Sequence, residues 1–327
     1  DSGKFENVSK FYINGNVETR KIFTQDGNEL ESSLNHRYRV VEDGKYIWKT
    51  VEELKVGDKL VVCLGGHPEK CSNKLPKMEN IDMKQPDILT PEIASVLALI
   101  YRNGLVENNN TSISFFPIKM SEHDRISKIV NNAFGISTYS ISETIGIRNK
   151  EFVDWLEFQG FTKEYERNNN VPFVIRTASK DVIASFIDNL WEPYSGKTDY
   201  VTLSSIPFSK QLLILARSIG YITVLKYATM CYYYKVNITD VEETRFFGNY
   251  WLDPIVRLED SRCDTYDIEV ENAHHYRLGG TVSHNTLSLL GGCTSGVHPG
   301  FARYYKRRIR IASESPLIKV AKEHGYP

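Results

Sequence analysis

Apolar and polar positions alternate with a period near two at both ends of the first 285 residues, and gather into helix-length blocks between them. From Lys10 to about Gly65, short alternating runs at Glu18–Phe23, His36–Val41, Tyr46–Lys49 and Lys59–Cys63 are broken by Asp26-Gly27 and Asp43-Gly44. This pattern predicts strands joined by tight turns in a compact all-β module. A polar stretch from Gly65 to Pro91, carrying Pro68, Pro76 and Pro86, reads as a linker. Thr90-Pro91-Glu92 is a helix start, with Thr90 as N-cap and Pro91 in the first turn, and the apolar run Ile93–Ile100 follows, ending near Asn103-Gly104. A similar start at Ser179-Lys180-Asp181 leads into Val182–Trp191 and breaks at Pro193. Each of these helices precedes an alternating run, Thr111–Phe116 or Tyr200–Ser204, and then a second helix, Glu122–Ala133 or Lys210–Ile219, closed by Gly135 or Gly220. That order is a weak internal repeat of the kind that builds a pseudo-symmetric domain. Strand patterns return at Tyr232–Ile238, Trp251–Leu258, Thr265–Val270 and His275–Leu278, with a Gly279-Gly280 turn. The simplest account is a β module split around an inserted α/β domain.

Composition narrows the function classes. A 41% hydrophobic content suits folded protein, and no apolar run approaches the length of a membrane span. The net charge of −1 argues against non-specific coating of nucleic acid and leaves room for a local basic face. The five cysteines form no CxxC pair and are odd in number, which suits a reducing cytosol better than a disulfide scaffold or a zinc site. A cytoplasmic location, no membrane association and no metal for the central chemistry are expected. The chain starts without Met at Asp1 and reads as a fragment.

The strongest chemical signal is His284-Asn285-Thr286. An Asn side-chain amide can attack its own backbone carbonyl, forming a succinimide and cutting the following peptide bond. An adjacent imidazole can protonate the leaving nitrogen, and a hydroxyl on the next residue can accept an acyl group. Alone, such a tripeptide is ordinarily a loop. Its context is more specific. Asp264-Thr265-Tyr266-Asp267-Ile268-Glu269-Val270, His274-His275-Tyr276 and Gly279-Gly280-Thr281-Val282-Ser283-His284-Asn285 together resemble the C-terminal splicing motifs of inteins in order and spacing. Asp26 to His36 resembles the family's Thr-x-x-His motif with Ser33 in the Thr position, and Trp48 to Asp58 resembles its continuation.

The resemblance implies an α+β fold: an all-β, horseshoe-shaped Hint splicing domain interrupted by a pseudo-two-fold α/β domain. The implied segments are 1–65 and 241–285 for the splicing domain, 66–89 for a linker, 90–240 for the insert and 286–327 for the following host segment. It also implies roles. His36 strains the upstream scissile peptide with Ser33 assisting. Asp267 governs proton traffic between the two junctions. His274 and His284 support cyclisation of Asn285, and Thr286 accepts the acyl group. The first intein residue, normally Cys or Ser, is absent, so the chain as written is expected to cleave at Asn285 at most. The host segments on either side are the implied partners, and no cofactor is needed.

The repeated helices resemble the LAGLIDADG homing endonucleases that often interrupt inteins. The first copy is Val96-Leu97-Ala98-Leu99-Ile100-Tyr101-Arg102-Asn103-Gly104 and the second Phe186-Ile187-Asp188-Asn189-Leu190-Trp191-Glu192-Pro193-Tyr194-Ser195. Lys210 to Tyr221 is similar to the helix after the second copy. In that family a carboxylate ends each motif and holds a divalent ion, Mg²⁺ for example, that activates water against DNA. Asn103 and Tyr194 stand in those positions, and Glu192 aligns with an earlier acid of the second motif. A degenerate, non-cleaving nuclease is expected, with double-stranded DNA as a residual partner through backbone contacts. After Asn285, Thr286 to Tyr305 and Arg308-Ile309-Arg310-Ile311-Ala312-Ser313 resemble the adenosylcobalamin-dependent ribonucleotide reductases. That resemblance implies substrate-phosphate binding by Thr286 and Ser288 after splicing, with adenosylcobalamin and a ribonucleotide as ligands of the joined host. The rival readings are a site-specific DNA endonuclease and a reductase fragment carrying the intein as cargo.

Overall fold

The computed structural model of the protein describes residues 8–67, 71–107, 110–116, 120–161, 170–191, 200–203, 205–228, 233–238, 245–270 and 275–284. The elements before the helices are β1 (Val8–Thr24), β2 (Glu29–Ser33), β3 (Arg37–Glu42), β4 (Lys45–Thr50) and β5 (Lys59–Val62). Then come α1 (Pro91–Asn103), β6 (Leu105–Glu107), β7 (Ser112–Phe115), α2 (His123–Phe134), β8 (Thr138–Ile141), β9 (Thr144–Ile147), α3 (Lys150–Phe158) and α4 (Phe173–Arg176). They are followed by α5 (Lys180–Trp191), β10 (Tyr200–Leu203), α6 (Ile206–Ser218), β11 (Thr223–Ala228) and β12 (Tyr233–Ile238). The last strands are β13 (Phe246–Phe247), β14 (Tyr250–Val270), β15 (His275–Leu278) and β16 (Thr281–His284).

Strands from both ends share one nine-stranded sheet in the order β15-β16-β3-β5-β14-β1-β2, with β4 on β3 and β13 on β14. Its spine is the antiparallel ribbon of β1 and β14, paired from Val8 with Val270 to Thr24 with Ile255. The sequence predicts two strands where β14 is one. The polar stretch Glu259–Asp264 hides the continuity, because its side chains are exposed or half-buried on a ribbon that faces solvent while its backbone pairs with β1. The expected horseshoe is corrected here. Closing a sheet requires its first and last strands to pair, yet β15 and β2 stand at opposite ends of the order, and no sheet among the described residues is curled or barrel-like. The fold is α+β with several open sheets.

Local signals explain much of the helical part. Thr90 Oγ1 accepts from Ile93 N at 3.3 Å, and Pro91 occupies the first turn, so α1 starts where the sequence places it. Ser205 caps α6 with Pro207 behind it, and the helix therefore begins before Lys210. Asp43 and Gly44 adopt φ of 49° and 68° in the two-residue β3–β4 hairpin, the left-handed pair that such a turn demands. α1 packs against α5, with Ser185 Oγ donating to Pro91 O at 2.6 Å. The four-stranded sheet β6-β7-β9-β8 lies between α1 and α3 in the chain, and the three-stranded sheet β10-β12-β11 follows α5. One apolar core joins α1, α2, α3, α5 and α6, and it includes Leu75, Met83 and Leu89 from the polar stretch before α1. No helix among the described residues is long and apolar enough to cross a membrane.

The helical part meets the large sheet across a buried charge cluster. The Asp26 carboxylate accepts from Arg245 Nη1 and Nη2 at 2.8 and 2.7 Å and from Trp251 Nε1 at 2.6 Å. Asp253 accepts from Thr24 Oγ1 at 2.7 Å, Asp26 N at 3.0 Å and Asn28 Nδ2 at 3.2 Å. Arg217 of α6 lies 3.9 Å from Asp26 and 3.8 Å from Asp253 and donates to Thr223 O. Gly27 has φ of +87°, and a Cβ there would meet Leu225 O at 2.4 Å, so this turn needs glycine for both its conformation and its close approach to β11.

Candidate active site

His36 sits at the turn between β2 and β3, where its N–H donates to Ser33 O at 3.0 Å and its carbonyl accepts from Val51 N at 2.8 Å. Its ring is buried against Tyr38, edge-on at 5.1 Å, and against Tyr276 at 6.4 Å. The pairing of β16 with β3 sets Ser283 beside Tyr38 and brings Ser283 Oγ to 2.5 Å from His36 Nε2. On the other side β16 pairs with β15, and Ser283 is the direct partner of Tyr276. Tyr276 Oη donates to Asp267 Oδ1 at 3.2 Å, which also accepts from Ile268 N at 2.8 Å. Ser283 and Asp267 are buried.

Electrostatics follow from this packing. Burial pushes the His36 imidazole below its ordinary value; Asp267 pulls it back up and His284 pushes it further down. Burial thus favours the neutral imidazole, which has one nitrogen to donate and one to accept. Burial raises the Tyr276 phenol, and the Asp267 carboxylate raises it further. Tyr12, cross-strand from Asp267, is pushed up to about 12 by burial and by its hydrogen bond to Glu269.

The structure brings together His36, Asp267 and His284 from the set named by the sequence. His284 ends β16 opposite His275 and packs edge-on to Trp48 at 4.8 Å. Ser33 shares the His36 turn, but its hydroxyl donates to Asn35 Oδ1 at 2.8 Å. His274, Asn285, Thr286 and Ser288 lie outside the described residues, as do Glu192 and Tyr194. Asn103 closes α1: its Nδ2 donates to Phe116 O and its Oδ1 accepts from Phe116 N, both at 3.1 Å. Both ends of that amide serve the backbone. Among the described residues no group of three or more His, Cys, Asp or Glu side chains is placed to hold a metal. Sequence reasoning missed Ser283, Tyr276 and Trp48. The available signal for Ser283 was its position next to His284 on a short strand, where period two sends neighbours to opposite faces.

A comparison with known protein families finds no match. The chain is 23% identical over 312 residues to transcription initiation factor IIB of Methanocaldococcus jannaschii, across 87% of this chain and 41% of that protein. It thus spans about two fifths of that relative's length. Among solved structures it is similar to I-DmoI in complex with DNA and Mn, with 12% identity, a TM-score of 0.34 and coverage of 46% of this chain and 89% of that one. Mesophilic variants of the homing endonuclease I-DmoI give 13% identity, a TM-score of 0.33 and coverage of 46% and 84%. These likenesses cover part of this chain only.

Proposed function

We propose that this chain is a self-cleaving, intein-like element that cuts its own backbone between Asn285 and Thr286. The carrying observation is that Ser283, Tyr276 and Asp267, from three strands, gather with His36, from the turn before β3, where β16 delivers His284 one residue before Asn285. In the reaction the Asn285 side-chain nitrogen attacks the Asn285 carbonyl carbon and gives one of its two protons to solvent, from which His284 is afterwards reprotonated. The bond to the Thr286 nitrogen breaks, His284 supplies the proton that nitrogen needs, and a succinimide remains on Asn285. Trp48, edge-on to the imidazole, restricts the orientation of His284. In a precursor carrying an upstream junction, His36 with Ser33 activates that junction, Thr286 accepts the acyl group, and His274 assists the cyclisation. The segment after Asn285, with Thr286 and Ser288, then joins a host whose resemblance is to ribonucleotide reductases. The test is mass spectrometry of the full chain. Release of a peptide starting at Thr286, absent in Asn285→Ala, is the expected result, and a wild-type chain that stays intact from about 20 to about 80 °C overturns it.

A second reading concerns the helical part. α1 and α5 pack side by side with an antiparallel sheet after each, a two-fold arrangement suited to lying along a duplex. In that reading the unit binds double-stranded DNA without cutting it, because the Asn103 amide is spent on the Phe116 backbone. Linearisation of a supercoiled plasmid carrying the uninterrupted host site, with Mg²⁺ present, would show cutting instead.

A further inference from the structure

The hairpin of β15 and β16 carries His284, and its strands are four residues each. A two-stranded hairpin of that size is marginal by itself. Among the described residues its pairing with the rest of the sheet is confined to Ser283 with Tyr38 of β3 and Thr281 with Val62 of β5. Contacts with the segment after β5 and with α6 add to that hold. Cys63 N donates to Gly280 O at 2.9 Å, and Arg277 Nη1 donates to Gly65 O at 2.7 Å. A Cβ on Gly279, at the hairpin tip, would lie 3.9 Å from Ile214 Cδ1 of α6. The same segment is fastened to the helical part. Gly65 N donates to Arg217 O at 2.7 Å, His67 Nδ1 lies 3.2 Å from Ser218 Oγ, and His67 Nε2 donates to Ala178 O at 2.7 Å. Gly65 thus gives its N–H to α6 and its carbonyl to β15. Gly66 has φ of +76°, and a Cβ there would meet Arg277 Nη1 at 2.4 Å, so the guanidinium lies against bare backbone.

We propose that residues 63–67 are a strap through which the C-terminal end of α6 positions His284, with Arg277 and His67 as positioning residues at its two ends. The hydrogen bonds of the strap are of the same kind as those that pair the hairpin with β3 and β5. Losing them therefore frees a large share of what sets the tilt of the hairpin. His284 packs edge-on to Trp48 of β4 at 4.8 Å, so a change of tilt alters that ring contact and displaces the residue next to Asn285. A displacement of about 1 Å at a reacting group slows a reaction by up to about a hundredfold. The strap acts through the hairpin, and by this route the helical part is felt at the cleavage junction. The effect on cleavage rests on the self-cleavage reading, whereas the placing of the His284 ring does not.

Two measurements on the full chain test it. In Asn285→Ala, which keeps the chain intact, NMR reads the His284 imidazole and the Trp48 indole. Arg277→Met and His67→Ala, each added to that background, are expected to shift both ring signals in the same direction. Arg277→Lys, which keeps a cationic donor, is expected to return them. Hydrogen exchange along β1 and β14 is expected to stay as in the parent chain. Ring signals unmoved in one variant or both, Lys failing to return them, or exchange that rises along β1 and β14 as well overturn the strap. In the otherwise native chain, Arg277→Met is expected to slow release of the Thr286 peptide by about tenfold and His67→Ala by about fivefold. The double variant is expected to be less than about twofold slower than Arg277→Met alone, as for residues acting in one series. Rates within about twofold of wild type in either single variant, or effects that multiply, overturn the positioning role. A wild-type chain that releases no peptide overturns the self-cleavage reading instead, and the ring signals then decide the strap alone.

Discussion

Two buried polar clusters sit in the same large sheet and are built on opposite rules. At the junction with the helical part, two carboxylates, Asp26 and Asp253, face two guanidinium groups, Arg217 and Arg245, and most of the hydrogen-bonding capacity is spent. Around His36, one carboxylate and two hydroxyls lie with an imidazole whose neutral form burial favours. Burying charge costs several kcal/mol per ion unless partners replace the lost water, so each carboxylate of the first cluster depends on the guanidinium groups beside it. The contrast separates a charge set that holds two parts of the chain together from a cluster built mostly of uncharged groups.

Breaking the charge set tests that contrast most severely. Asp26→Ala leaves Arg245 and the Trp251 N–H facing a void and is expected to cost about 3–5 kcal/mol in chemical denaturation. Arg217→Met should cost less, about 1–3 kcal/mol, because among the described residues Nε and Nη1 of Arg217 have no hydrogen-bond partner and Arg245 still neutralises Asp26. A loss equal to that of Asp26→Ala would show that the set is indivisible. Asn103→Ala removes two half-exposed hydrogen bonds to Phe116 and is expected to cost about 1–2 kcal/mol by thermal denaturation. No loss would free Asn103 from its structural role and reopen it as a ligand. The smallest effect at neutral pH concerns His36. Its folded value lies below its unfolded one, so its neutral form contributes stability that is fully present above the unfolded value of about 6.5. That contribution declines as pH falls below it, since the unfolded state then binds more protons. In Asn285→Ala, His36→Gln should flatten this acid slope, and an unchanged slope would mean that the ring charges within the fold.

Legibility in the sequence followed the range of the interaction. The Asp43-Gly44 hairpin, the Thr90 cap and the strands β3 and β4 were readable because each depends on neighbours within a few residues. β14 was split in the reading because an exposed two-strand ribbon needs no apolar stripe between Glu259 and Asp264. The sheet's open order was not readable, since register and edge placement arise from pairings such as Ser283 with Tyr38, far apart in sequence. Of the residues grouped around His36, Asp267 and His284 were named from motif spacing, whereas Ser283 and Tyr276 were not, because a serine and a tyrosine on short strands carry no signal until the strands pair.

By itself the sequence determined many of the local elements and the β–helical–β arrangement, because these depend on periodicity and turn residues. Only the tertiary structure decided that the sheet stays open, that Asn103 serves the Phe116 backbone, that Arg217 closes a charge set begun by Asp26 and Asp253, and that a buried hydroxyl stands between His36 and Tyr276. Each of those facts is a contact between segments distant in the chain, set by packing and desolvation, which no single segment encodes.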